Sequence, residues 1–292
     1  MRTVINKVDD VGATSEFRTF AYEHLAGDKD MNVVVNEQDC EFSFDFSKVY
    51  WNSRLGNEHA YLVSQFKENE AVCDVMAGVG PFALPAGKKK IFVWANDLNP
   101  HGYEKMKENT KKNKVDGFVL PFNMDGRKFI RYATEQLHAQ QPNTVTIHPK
   151  PKGGRRQQKS RSPPPPTVYT SPNTFDHYVM NLPASAIEFL DAFVGVYAGQ
   201  ESLFYPHTSR KLPLVHVYCF STNSEEGYIE RVDICQRISE RLGFEITPED
   251  TKDGKGNQER ELEIRDIRLV SPNKKMFCAS FRLPAEVIFK QN

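Results

Sequence analysis

Residues 73–82, Cys73-Asp74-Val75-Met76-Ala77-Gly78-Val79-Gly80-Pro81-Phe82, decide the fold. An apolar run carrying one acid breaks into a loop with two glycines, after which helix-compatible residues resume. Small residues let backbone approach a ligand where the carboxyl end of a strand meets the amino end of a helix. Asp74 is placed to attract an ammonium group, and Gly78 and Gly80 leave room beside it. The pattern is not Gly-x-Gly-x-x-Gly, because Ala83 stands in the third glycine's place, although some dinucleotide sites accept alanine there. No Gly-Lys-Ser/Thr follows, which argues strongly against a Walker-type nucleotidase.

The next strand ends Ala95-Asn96-Asp97-Leu98-Asn99-Pro100. An acid here, about 20 residues beyond the glycine loop, can accept hydrogen bonds from both hydroxyls of a ribose. The strand after that ends Phe122-Asn123-Met124-Asp125-Gly126, where Asp125 can accept from an adenine amino group. Each acid has a plainer reading as a turn or cap residue. Together, at three successive strand ends, they describe a site for an adenosyl group bearing a methionine-like ammonium. The fourth strand ends Asn181-Leu182-Pro183, which suits either a loop holding a base edge or a proline opening the next helix.

Strand patterns cover 72–76, 91–96, 118–122, 178–182 and 214–220, with helical stretches over 102–113, 184–197 and 225–242. In the last stretch Ile229, Val232, Cys235, Ile238 and Leu242 recur at near-helical spacing, and Gly243 closes it. Two further strands, 261–270 and 275–283, flank Ser271-Pro272-Asn273-Lys274 and read as an antiparallel hairpin. Strand and helix alternation predicts an α/β fold with a mostly parallel sheet, edged by that hairpin. Ahead of it, residues 1–60 mix short strand patterns with a helical stretch over 17–25 and read as a small α+β positioning domain; 61–292 form the main domain. Residues 139–172 break the pattern: Lys150, Lys152, Arg155, Arg156, Lys159 and Arg161 precede four consecutive prolines. Such a stretch buries little apolar surface, so a mobile basic insertion is expected, either a solvated linker or a flap for nucleic-acid phosphates.

Bulk composition narrows the class. Hydrophobic residues make up 39% of the 292, and no apolar run approaches a membrane span, so a soluble globular chain without a membrane partner is expected. Lys+Arg and Asp+Glu balance at 38 each, so any nucleic-acid contact must come from local clustering. Five scattered cysteines without a Cys-x-x-Cys pair predict reduced thiols and no metal site.

Taken in order, the glycine loop, Asn96-Asp97-Leu98-Asn99-Pro100, Phe122-Asn123-Met124-Asp125-Gly126 and Asn181-Leu182-Pro183-Ala184-Ser185-Ala186 resemble the archaeal and eukaryotic tRNA (guanine37-N1)-methyltransferases. So does Asp45-Phe46-Ser47-Lys48-Val49-Tyr50-Trp51-Asn52-Ser53-Arg54-Leu55-Gly56-Asn57-Glu58-His59 upstream. The match covers nearly the whole chain apart from the insertion, beginning inside the family's middle domain and lacking its N-terminal domain. The resemblance implies a Rossmann-like fold, S-adenosylmethionine as donor, tRNA as substrate, and a monomer in the cytoplasm, nucleus and/or mitochondrial matrix. Guanine N1 carries a proton, so methylation needs a base and stabilisation of charge on O6. The family motif assigns the base to Glu58 and the O6 contact to Arg18. It gives the pocket to Tyr50 and Arg54, and the base edge to Asn181 and Pro183. His59, Leu98, Asp97, Asp125, Gly126 and Asn181 line the cofactor site with Asp74, Gly78 and Gly80. If 54–58 is helical, Arg54 and Glu58 share a face at i, i+4, which also fits an ordinary surface ion pair. Two rivals stand beside this reading: transfer of the aminocarboxypropyl group of the same cofactor to a tRNA base, and a catalytically silent RNA-binding module.

Overall fold

The structure, a computed structural model, describes residues 2–8, 17, 19, 21–149, 165–224 and 227–291. Its first part runs β1 (Thr3–Lys7), β2 (Tyr22–Gly27), β3 (Asn32–Glu37), β4 (Cys40–Asp45), α1 (Gly56–Gln65), β5 (Ala71–Asp74) and α2 (Ala83–Lys88). There follow β6 (Phe92–Asn96), α3 (Pro100–Lys112), β7 (Val119–Phe122), α4 (Gly126–Ala139), β8 (Thr144–Ile147) and β9 (Thr167–Thr170). The remainder includes β10 (His177–Met180), a 3₁₀ segment (Ala186–Phe193), β11 (Leu214–Ser221), α5 (Tyr228–Leu242), β12 (Glu263–Ser271), β13 (Lys274–Arg282) and α6 (Ala285–Ile288).

A seven-stranded sheet has the order β12-β13-β11-β10-β5-β6-β7. The pairs from β11 through β7 are all parallel, whereas β13 runs antiparallel to both β11 and β12. This is a Rossmann-like arrangement, with the anticipated hairpin at one edge. Strand order reverses between β5 and β10. At such a switch point the connections leave to opposite faces and open a crevice beyond the strands' carboxyl ends.

Both faces are covered, as a parallel sheet requires. On one, Phe129, Ile130, Ala133 and Leu137 form the inner stripe of α4 and pack with Leu190, Phe193, Ile234 and Ile238. On the other, Leu62, Val63, Leu84 and Met106 pack with Phe42 and Phe44 of the β3–β4 hairpin. Asn109 of α3 and Asn113 at its C-cap fasten that hairpin: the Glu41 N–H donates to Asn113 Oδ1 at 2.9 Å and the Ser43 N–H to Asn109 Oδ1 at 3.0 Å. Local chemistry sets the helix ends. Asn99 caps α3 ahead of Pro100, Asp125 caps α4, and Gly243 ends α5 at φ 61°.

Three local expectations need correction. The helix expected over 17–25 gives way to β2, paired antiparallel with β1. Its helical spacing has no core to face, since Leu25 is 56% exposed. Within 139–172, expected to be a mobile insertion, β8 and β9 pair antiparallel from Thr144↔Thr170 to Ile147↔Thr167. Alternating β-branched residues flank the basic, proline-rich centre and drive that pairing. Residues 150–164 lie outside the described residues. Finally, the helical stretch over 184–197 is wound as a 3₁₀ segment from Ala186, not from Pro183. Among the described residues no helix is long and apolar enough to cross a membrane.

Candidate functional site

A cavity opens beyond the carboxyl ends of the strands at the switch point. Its walls are Met76–Gly78 after β5, Asp97 and Leu98 after β6, Asp125 and Gly126 after β7, and Asn181 after β10. Tyr50, Trp51 and His59 close the opposite side.

Asn96 holds three of these walls together. Its Nδ2 donates to the Val75 carbonyl at 3.0 Å and the Met124 carbonyl at 2.9 Å, and its Oδ1 accepts from the Met124 N–H at 2.8 Å. Asp97 then shapes the glycine loop: Oδ2 accepts from the Gly78 N–H at 2.7 Å and Oδ1 from the Asn99 N–H at 2.9 Å. Burial raises the Asp97 pKa while these two donors lower it. Each carboxylate oxygen retains a lone pair for a further donor. Gly78 sits at φ 58°, and a β-carbon there would meet nothing within 4 Å. Asp125 spends one oxygen on the Lys128 N–H at 3.1 Å, so capping does not exhaust its acceptor capacity. Leu98, 43% exposed, offers an apolar face beside these acids.

Two residues expected at the cofactor lie beneath the wall instead. Asp74 is fully buried, and neither of its oxygens has a hydrogen-bond partner. Burial first, and then neighbouring Asp97, push its pKa well above the usual carboxylate range. Gly80, at φ 96°, serves packing: a β-carbon would come within 2.3 Å of Leu84 Cδ1.

The other half is built differently. His59 is buried, with Nδ1 2.6 Å from Glu37 Oε1 and its ring edge-on to Phe82. Tyr50 Oη accepts from Asn52 Nδ2 at 3.3 Å. Arg54 lies exposed on a 3₁₀ turn (Ser53–Leu55) and does not share the cavity wall with Glu58. Neither expected pairing of these two residues occurs, because Glu58 turns inward. Its Oε1 accepts from Tyr218 Oη at 2.6 Å and Arg265 Nη2 at 2.7 Å, and its Oε2 from Arg265 Nη1 at 2.9 Å. Glu58 is therefore absent from the cavity lining, although Leu55 and His59 nearby in sequence belong to it. Pro183 is buried outside the cavity, its carbonyl accepting from the Phe220 N–H at 3.1 Å. Arg18 lies outside the described residues, although Phe17 beside it lines the cavity. Sequence reading missed Asn96, Trp51, Tyr218 and Arg265. Only Asn96, adjoining Asp97 at a strand end, carried a local signal.

Comparison with known proteins gives a consistent result. Residues 33–141 match the TRM5/TYW2 methyltransferase domain family. The tRNA (guanine(37)-N(1))-methyltransferase of Aspergillus fumigatus is 66% identical over the whole chain, which spans 61% of that protein's length. The crystal structure of Trm5b from Pyrococcus abyssi superposes with a TM-score of 0.59 at 23% identity, covering 96% of this chain and 64% of that one. Trm5 of Methanocaldococcus jannaschii, solved in complex with adenosine, gives 0.57 at 20% identity, covering 92% and 59%.

Proposed function

We propose that this chain, whose residues 33–141 match the TRM5/TYW2 methyltransferase domain family, methylates N1 of guanine 37 in tRNA with S-adenosylmethionine as donor. The observation carrying this reading is the cavity whose walls present Asp97, Leu98, Asp125 and Asn181 at the strand ends and Tyr50 opposite them. The residues fit the donor. Asp97 keeps lone pairs for ribose hydroxyls, Asp125 for an adenine amino group, and Leu98 an apolar face for the ring. Buried Asp74 supplies a carboxyl with both oxygens unpartnered, which a nearby ammonium would stabilise in its charged form. Bound there, the donor supplies an electrophilic methyl group.

On the substrate side, Glu58 accepts the N1 proton, and Arg18 donates to O6 as charge develops. Asn181 holds the base edge and Tyr50 flanks the ring, since both line the cavity. N1 is hidden in a stacked or paired base, so the guanine enters flipped out. The basic run within 150–164 adds salt-dependent phosphate contacts. Methyl transfer to transcripts that differ only at position 37 tests the assignment: labelling of the G37 transcript alone supports it, and equal labelling of an A37 transcript contradicts it.

A further inference from the structure

Building on the reading of Glu58 as base, we infer that Arg265 is a positioning residue that holds Glu58 as an anion and transfers to Glu263 when Glu58 takes up the N1 proton. Three groups face Glu58 from the sheet: Tyr218 on β11, Arg265 on β12 and Cys278 on β13. Burial pushes the Cys278 thiol up to about 12 and raises the Tyr218 phenol, so both stay neutral near pH 7. Arg265 is thus the cation that balances Glu58, through a two-pronged contact between side chains 18% and 8% exposed.

That pairing creates an electrostatic problem for catalysis. Protonating Glu58 would deprive a largely buried guanidinium of its closely bonded counter-charge, a costly change in a low-dielectric setting. The structure offers a second carboxylate. Glu263 shares a face of β12 with Arg265, two residues away, and its Oε2 stands 3.9 Å from Arg265 Nε. Arg265 Nε is itself buried and without a hydrogen-bond partner, so the guanidinium has an unused donor on the Glu263 side. Tyr61 stacks 4.0 Å from the guanidinium carbon, a surface across which it can pivot while staying paired. In the step itself the N1–H bond breaks, its proton binds a Glu58 oxygen, and the electron pair stays on N1. Arg265 moves its charge toward Glu263 as Glu58 loses its own.

Single-turnover methyl transfer as a function of pH, with cofactor affinity and melting measured alongside, tests this in Arg265→Gln, Arg265→Lys and Glu263→Gln. Losing the cation raises the acid-side inflection of the rate profile by about one pH unit or more in Arg265→Gln. Arg265→Lys restores the wild-type inflection. Glu263→Gln slows transfer about tenfold at unchanged KM for tRNA. An unmoved inflection in folded, cofactor-binding Arg265→Gln, or a wild-type rate in Glu263→Gln, overturns the inference. Should Arg265→Gln fail to fold, the other two variants still decide. Glu58→Gln separates the two levels: if it is slow while Arg265→Gln leaves the profile unmoved, only the Arg265 role falls, and if it is fast, Glu58 is not the base.

Discussion

The two halves of the cavity are held by different kinds of contact. On the glycine-loop side, Asn96 and Asp97 bind backbone groups 19 to 28 residues away, at neighbouring strand ends of one sheet. On the Glu58 side, the fixing partners Tyr218 and Arg265 lie 160 and 207 residues away. The first half is set by the register of parallel strands and is ready for a ligand. The second holds Glu58, the proposed base, in a closed ion pair with Arg265. On the proposed reading, a donor pocket fixed by strand register beside a base held in an ion pair suits a reaction in which the acceptor base is extruded and deprotonated before transfer.

Substitutions on the two sides should therefore fail in different ways. The largest effect is expected from Glu58→Gln, which should lower methyl transfer by about a hundredfold or more. Its cofactor affinity, read by calorimetric titration, should match wild type. Asp97→Ala should behave oppositely, weakening cofactor binding by about 10- to 100-fold through loss of charge-assisted hydrogen bonds and of the Gly78 restraint. A Glu58 variant that lost cofactor affinity, or an Asp97 variant that kept it, would dissolve the contrast.

Asp74→Asn probes the glycine-loop half and stability. The folded-state pKa of Asp74 lies above the unfolded value, so its contribution to stability is fully present in acid and is lost as pH rises through the folded pKa. Asp74→Asn should then raise the melting temperature of the ligand-free protein at neutral pH by roughly 2–4 °C, with the gain vanishing below about pH 4. The same change should weaken cofactor binding several-fold, since the anion can no longer form. Melting scans at two pH values and one titration check both signs.

How far the sequence revealed these halves follows from the same contrast. Acids at strand ends are local features, so Asp97, Asp125 and the glycine loop were legible in the residue pattern alone, as were the sheet and its edge hairpin. Local spacing says nothing about contacts made across the sheet. It placed Arg54 and Glu58 on one face, while tertiary packing gave Glu58 to Arg265. It also assigned Asp74 to the ligand surface, although its position within β5 buries it. In 139–172, composition dominated the reading and hid the β8–β9 pairing.

The smallest effect is expected from excising 150–164, which leaves β8 and β9 paired. Cofactor affinity and melting should hold, while tRNA affinity falls a few-fold at low salt and its salt dependence becomes shallower. Unchanged tRNA binding would reduce the segment to a linker.

Nucleoside mass analysis of tRNA treated with the protein and S-adenosylmethionine tests the central claim most directly. The account predicts 1-methylguanosine, confined to position 37. A base carrying the aminocarboxypropyl chain, or tRNA left unmodified while the protein binds the donor, would contradict it.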